Sequence, residues 1–245
     1  MLQEGRRLRV ADLVREFGVT DTSIRRDLAI LEATGGVLRV HGGAVARARG
    51  KDARPLTDRM RLHLAEKQRI GKAAASLMQP GEIVLFDSGT TTLQVASQIP
   101  PTLRTSGMLT VITNSLRMAD EVLTWPAPNL ILLGGLCVPD YQAIVGPQAL
   151  EQLEHLMVDK VFLGVDGLTL SQGATTADIL MAELNRRMAE RARQVILVTD
   201  SSKLGRTGFE PIVGIDQIHR LVTDKGAPED LVRALRAEGV QVDCV

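Results

Sequence analysis

Aromatic side chains make up only 2% of the 245 residues, with a single Trp and a single Tyr. So few rings exclude a stacking platform for single-stranded nucleic acid. Cysteine is almost absent. Cys137 and Cys244 are too few for a disulfide framework, and no CxxC pair or Cys/His cluster has the spacing of structural zinc. The four histidines (His41, His63, His155 and His219) also lack metal-ligand spacing. Net charge is missing: 29 Lys/Arg balance 29 Asp/Glu, which excludes a uniformly basic nucleic-acid coat and an acidic solvating chain. Long apolar runs are missing as well. The longest candidate, 130–138, is cut by Gly134-Gly135 and falls short of the roughly 20 residues of a membrane span. The start, MLQEGRRLRV, lacks the apolar core of a signal peptide. The nucleotide fingerprints GxxxxGK[ST] and GxGxxG and the nucleophile elbow GxSxG do not occur. The expectation is a cytoplasmic protein without cofactor, metal or membrane partner.

What is present is 44% hydrophobic and 24% charged residues, enough for one large domain with a smaller companion. The charge is unevenly spread. Residues 1–54 carry eleven Lys/Arg against seven Asp/Glu, so a basic head precedes an acidic body. In the head, Val10, Leu13, Val14 and Phe17 recur at helical spacing. Gly18 suits the left-handed end of that helix and Thr20 the N-cap of the next, which runs from Asp21 to about Ala33 with Ile24, Leu28 and Leu31 inward. Gly35-Gly36 closes it. A strand pattern over 37–41 and the Gly42-Gly43 turn complete a winged helix-turn-helix, assigned to 1–48. Residues 49–61 lack apolar periodicity and read as a linker. From 62 to 245, strand patterns alternate with helical ones, which predicts an α/β domain with a mainly parallel sheet flanked by helices. Leu130–Leu133 and Val161–Val165 read as buried strands.

Two kinds of motif carry chemistry. The outer face of the second head helix presents Thr22, Ser23, Arg25 and Arg26, and such side chains reach base edges or phosphates in a major groove. At the wing, Arg39 and His41 flank glycines that permit close approach to a phosphate backbone. The alternative for this face is an ordinary solvated charged surface. In the body, Asp87-Ser88-Gly89-Thr90-Thr91 follows a strand and opens a helix, so its hydroxyls and free amides form an anion cradle. Other small polar loops sit at predicted strand ends, with Asn114, Gly135, Asp166 and Lys203 among them. Thr175 precedes a long helix. Ligands of open α/β sheets gather at such ends, and this set suits a phosphorylated, hydroxylated small molecule.

The segments IRRDL and LRVHGGA resemble the winged helix-turn-helix of DeoR-type bacterial transcription regulators. EKQRIGKAAA, FDSGTTT, LTVITNS, LLGG, FLGVDG and VTDSSKLG, in that order, resemble the sugar-phosphate-sensing domain of the same family. The resemblance covers nearly the whole chain. It implies a body related in fold to ribose-5-phosphate isomerase, a double-stranded DNA operator as partner, a phosphorylated sugar as effector, a homo-oligomer, and repression of a carbohydrate-utilisation operon. The alternative is a phosphosugar isomerase with a degenerate head, in which Asp87, Asp166 and Lys203 are the acid/base groups. The family's first head helix normally lies before the segment matching Gly5–Arg9. Only four residues precede it here, so the resemblance implies a head whose first helix is largely missing. Asn185 stands where the family usually has lysine.

Overall fold

A computed structural model describes residues 7–33, 37–40, 42–46 and 56–245. The expected Gly35-Gly36 helix end, His41 and the linker residues 49–55 lie outside them, as do the side chains of Leu31 and Arg39.

The head begins with β1 (Arg7–Arg9), followed by α1 (Val10–Phe17), α2 (Asp21–Ala33), β2 (Val37–Val40) and β3 (Gly43–Ala46). Gly18 takes the left-handed conformation, φ 65°, and its N–H donates to Val14 O at 3.0 Å, which ends α1. Thr20 Oγ1 accepts from Ser23 N at 3.2 Å and so caps α2. The hairpin β2–β3 pairs Val40 with Gly43, and β1 adds to it on the β3 side. Gly42 turns the hairpin at φ 77°, and its carbonyl accepts from Val10 N at 3.0 Å. Val10, Leu13, Ile24, Leu28 and Ala44 form a small core. Phe17, at helical spacing with Val10 and Leu13, is 53% exposed: it is the last residue of α1, one position before the chain turns at Gly18.

The body opens with α3 (Leu56–Arg61), where a linker was expected. Then come α4 (Leu64–Ala75), β4 (Ile83–Phe86), α5 (Thr90–Ser97), α6 (Pro101–Ser106), β5 (Thr110–Thr113), α7 (Leu116–Leu123) and β6 (Leu130–Leu132). An antiparallel pair, β7 (Leu136–Val138) and β8 (Ala143–Val145), leads into α8 (Pro147–Glu154) and β9 (Val158–Leu163). Two short antiparallel strands, β10 (Gly167–Thr169) and β11 (Gly173–Thr176), precede α9 (Ile179–Glu190) and β12 (Ala192–Val198). The chain ends with β13 (Glu210–Val213), β14 (Arg220–Thr223), α10 (Glu229–Ala237) and β15 (Gln241–Cys244).

Seven strands form one sheet in the order β15-β14-β12-β9-β4-β5-β6, and each pairing in it is parallel. The strands are apolar on both faces because helices cover both. Successive residues alternate between two cores. Val84 and Phe86 join Val111, Phe162, Ile196 and Val198 under α4, α5 and α7, where the Phe86 and Phe162 rings stack 5.1 Å apart. Leu85, Ile112, Val161, Leu163 and Leu197 face the core of α8, α9 and α10. The helices α4 and α5 cross so closely at Gly71 that a Cβ there would lie 2.6 Å from Gln94 O. The segment 130–133 is not a buried strand throughout. It forms the sheet edge, and Ile131 and Leu132 are exposed while Leu133 is buried. Sequence order reverses between β4 and β9: β5 and β6 extend one side, then β9, β12, β14 and β15 extend the other. The crevice above this switch point is where such sheets bind ligands.

Candidate functional site

Two surfaces carry the polar groups picked out in the sequence. On α2, Thr22, Ser23, Arg25 and Arg26 are all exposed. Arg25 hydrogen-bonds to Asp21 one turn earlier, which raises its pKa first through that bond and then through the charge of Asp21. Ser23 Oγ lies 3.0 Å from the capping Thr20 hydroxyl. Arg39 belongs to β2 of the wing. The face is thus presented on a capped helix, with its charges partly balanced locally.

The second surface is a cleft of about 260 Å³ at the C-terminal ends of β4, β9 and β12. Asp87 leaves β4 and sits fully buried at the switch point. Its Oδ1 accepts from Gly89 N at 2.8 Å and from the Thr92 hydroxyl at 2.7 Å, and its Oδ2 accepts from Gly164 N at 2.8 Å, at the end of β9. Burial pushes the carboxyl up to about 6, against the pull of these bonds and of Arg59. Asp87 therefore ties the two diverging strand ends together. A side chain at Gly89 would meet that carboxylate, with its Cβ 2.9 Å from Oδ1. Gly89 also has no side chain to cap α5, so the first helical turn starts without a side-chain cap where Gly89 and the buried Ser88, Thr90 and Thr91 line the cleft.

Cations border this cradle. Lys203, after β12, and Arg59, on α3, both approach Asp166 Oδ1 at 3.8 Å, and Arg206 also lines the cleft. Asp166 Oδ2 accepts from the Thr176 hydroxyl at 3.0 Å and from Ala177 N at 2.9 Å, which fixes the entry to α9. The Arg59 guanidinium stands 5.4 Å from the centre of the Tyr141 ring. Lys67 is buried and donates to the carbonyls of Arg59 at 2.6 Å and Leu62 at 2.7 Å. From α9, Asn185 lines the cleft, 3% exposed, and its Oδ1 has no hydrogen-bond partner among the described residues.

Seven expected residues meet here: Asp87, Ser88, Gly89, Thr90, Thr91, Asp166 and Lys203. Three expected ones do not line the cleft. Asn114 follows β5 but turns away, donating from Nδ2 to Ile144 O at 2.9 Å. Gly135 follows the edge strand, two strands from the switch point, and packs on Val145 and Ala149. The Thr175 hydroxyl is held between Gly167 O and Gly208 N, at 3.1 and 2.6 Å. Its neighbour Thr176 lines the cleft instead, because side chains alternate along β11. Arg59, His63, Lys67 and Tyr141 were not anticipated. The charge of α3 was the only sequence signal available for Arg59, and it looked like linker composition.

Among the described residues no acidic, His or Cys group could hold a metal, and no helix is long and apolar enough to cross a membrane. Residues 1–49 match the DeoR-like helix-turn-helix domain and residues 62–225 the DeoR C-terminal sensor domain. The chain is 36% identical to a putative aga operon transcriptional repressor of Escherichia coli O157:H7, over 96% of this chain and 87% of that protein. It is 32% identical to the HTH-type transcriptional regulator GlpR of Haloferax volcanii (99% and 98% covered) and 30% identical to the transcriptional repressor GlcR of Bacillus subtilis (98% and 91%). Among solved structures, ribose 5-phosphate isomerase A of Methanocaldococcus jannaschii superposes with a TM-score of 0.42 at 16% identity, over 56% of this chain and 53% of that one.

Proposed function

The chain belongs to the DeoR family of transcriptional regulators, and from that premise we propose that it is a cytoplasmic repressor of a carbohydrate-utilisation operon whose cleft takes a phosphorylated sugar. The observation that carries the ligand is the cradle at the start of α5: uncapped amides and three buried hydroxyls, bordered by Arg59, Lys203 and Arg206. A phosphate suits that end. Asn185, Asp166 and Asp200 are partners for sugar hydroxyls at the other. On α2, Thr22, Ser23, Arg25 and Arg26 enter the major groove, while Arg39 and His41 of the wing meet the backbone. A homo-oligomer places two such helices on a repeated operator.

This reading makes the protein a regulator and not an enzyme. Its relatives are regulators by name, and both oxygens of Asp87 already hold donors of the chain. The test is fluorescence anisotropy on DNA from the gene's own upstream region at two salt concentrations, with glucose 6-phosphate, ribose 5-phosphate and inorganic phosphate added in turn. Salt-sensitive binding altered by a sugar phosphate is expected. Binding indifferent to all three, or turnover of ribose 5-phosphate, overturns the reading.

A further inference from the structure

Along the sequence, the short helix α3 lies between the head and the strands that form the cleft. Its Arg59, with Leu62 and His63 after it, lines the cleft. On the other side Leu56 and Met60 border a small recess over Ser88, Gly89 and Thr90, so α3 lies across the anion cradle. None of its residues is buried, and six residues are too few for a helix that holds by itself. Its position depends on what its side chains and carbonyls grip. Arg59 shares one carboxylate oxygen of Asp166 with Lys203, each 3.8 Å away, beyond hydrogen-bond length. Lys67 holds the carbonyls at its C-terminal end. Between α3 and α4, His63 adopts φ 50°, a left-handed conformation that costs a side-chain-bearing residue energy and breaks the helical path beside the cleft. In the other direction, only residues 47–55 separate α3 from wing strand β3.

We propose that residues 56–63 are the element through which the cleft's occupant controls the DNA-binding head, with Arg59 exchanging Asp166 for the anionic group of the ligand. The exchange is favourable because a phosphate accepts two guanidinium N–H bonds at once, whereas Asp166 Oδ1 is shared between two cations. The helix moves with its arginine about His63, and the start of the body is displaced relative to the wing. Ligand-loaded and empty proteins then differ in the placement of the head, the unequal affinity an effector needs.

The proposal rests on the effector reading of the cleft, and the experiment separates the two. Full-length protein is studied with glucose 6-phosphate, ribose 5-phosphate and inorganic phosphate. Operator affinity is measured by anisotropy without and with each probe at saturation, and amide exchange of 56–63 is followed in parallel. In the wild type, a sugar phosphate is expected to change operator Kd within the roughly 5- to 150-fold range of ordinary couplings and to alter exchange in 56–63. In Arg59→Gln, the saturating probe should change operator Kd by less than about threefold, since most of that coupling is lost. Asp166→Asn, which frees Arg59, should move operator Kd towards the ligand-loaded value with no probe present, and it reports independently if Arg59→Gln fails to fold. Full coupling in Arg59→Gln, or an Asp166→Asn protein that behaves as wild type, overturns the role of 56–63 and leaves the effector reading standing. A wild type whose operator affinity no probe changes overturns both.

Discussion

On α2, four polar side chains from five consecutive residues, Thr22 to Arg26, stand in solvent. In the cleft, Asp87, Gly164, Asp166, Asn185 and Lys203 arrive from four separate elements and converge above one switch point, Asp87 and Asn185 buried and the other three half-buried. The first surface is displayed by local structure and costs the fold little. The second is assembled by the sheet, and its groups also hold the sheet ends together. Changes on α2 should therefore alter function without stability, while changes in the cleft should alter both.

The largest expected effect is that of Asp87→Ala. It leaves Gly89 N and Gly164 N without their acceptor in a buried site, while the Thr92 hydroxyl keeps the Gly89 carbonyl at 2.8 Å, and should cost about 3 kcal/mol. Urea unfolding followed by Trp125, a buried reporter in the body, measures it, and amide protection in α2 should not change. Next is Arg25→Ala. Operator affinity should fall about tenfold to a hundredfold, in line with roughly 1–3 kcal/mol per specific base contact, while the Trp125 transition stays in place. A shifted transition would remove the contrast between the two surfaces.

A pH titration sharpens it further. Asp87 rises to about 6 in the folded protein from an ordinary 3.8, so the folded state holds the extra proton between those values. Its contribution to stability is present below about 3.8 and is lost as pH rises through about 6. Wild type should lose about 1 kcal/mol relative to Asp87→Asn between pH 5 and pH 7. Parallel curves would mean that Asp87 is not buried as described. Asp224 shows how finely this balance is set. Burial pushes it up, but bonds from Ser201 N, the Ser201 hydroxyl and Gly226 N outweigh that and leave it below its ordinary value. The smallest effect belongs to Thr20→Ala. Loss of the α2 cap should cost about 0.5–1 kcal/mol, seen as faster exchange of α2 amides and nowhere in the body.

The turn between α1 and α2 was legible because Gly18 and Thr20 act on atoms within four residues of themselves. The same holds for Ser88–Thr91, whose meaning lies in the strand-to-helix junction they occupy. Legibility failed where a neighbour distant in sequence decides. Phe17 fits the apolar face of α1 by spacing, yet about half of it stays exposed. Ile131 and Leu132 read as core but occupy the edge of the sheet. Thr175 and Thr176 are equivalent in composition, and strand register alone chose between them. Arg59 sits in a segment without periodicity, and only the fold of α3 over α5 brings it to the cradle.

The parallel α/β body, the helix-turn-helix with its wing, the family, and the polar strand-to-helix junction at 87–91 follow from the sequence, because apolar period, caps and glycine turns act over a few residues at a time. Tertiary structure alone decided which strand ends meet. The order of the sheet put the switch point between β4 and β9, joined Asp87 to Gly164, turned Asn114 aside, left Gly135 two strands away and laid α3 across the cleft. Each of these depends on contacts between residues tens of positions apart, and hydrophobic burial and strand pairing fix such contacts only when the whole sheet closes.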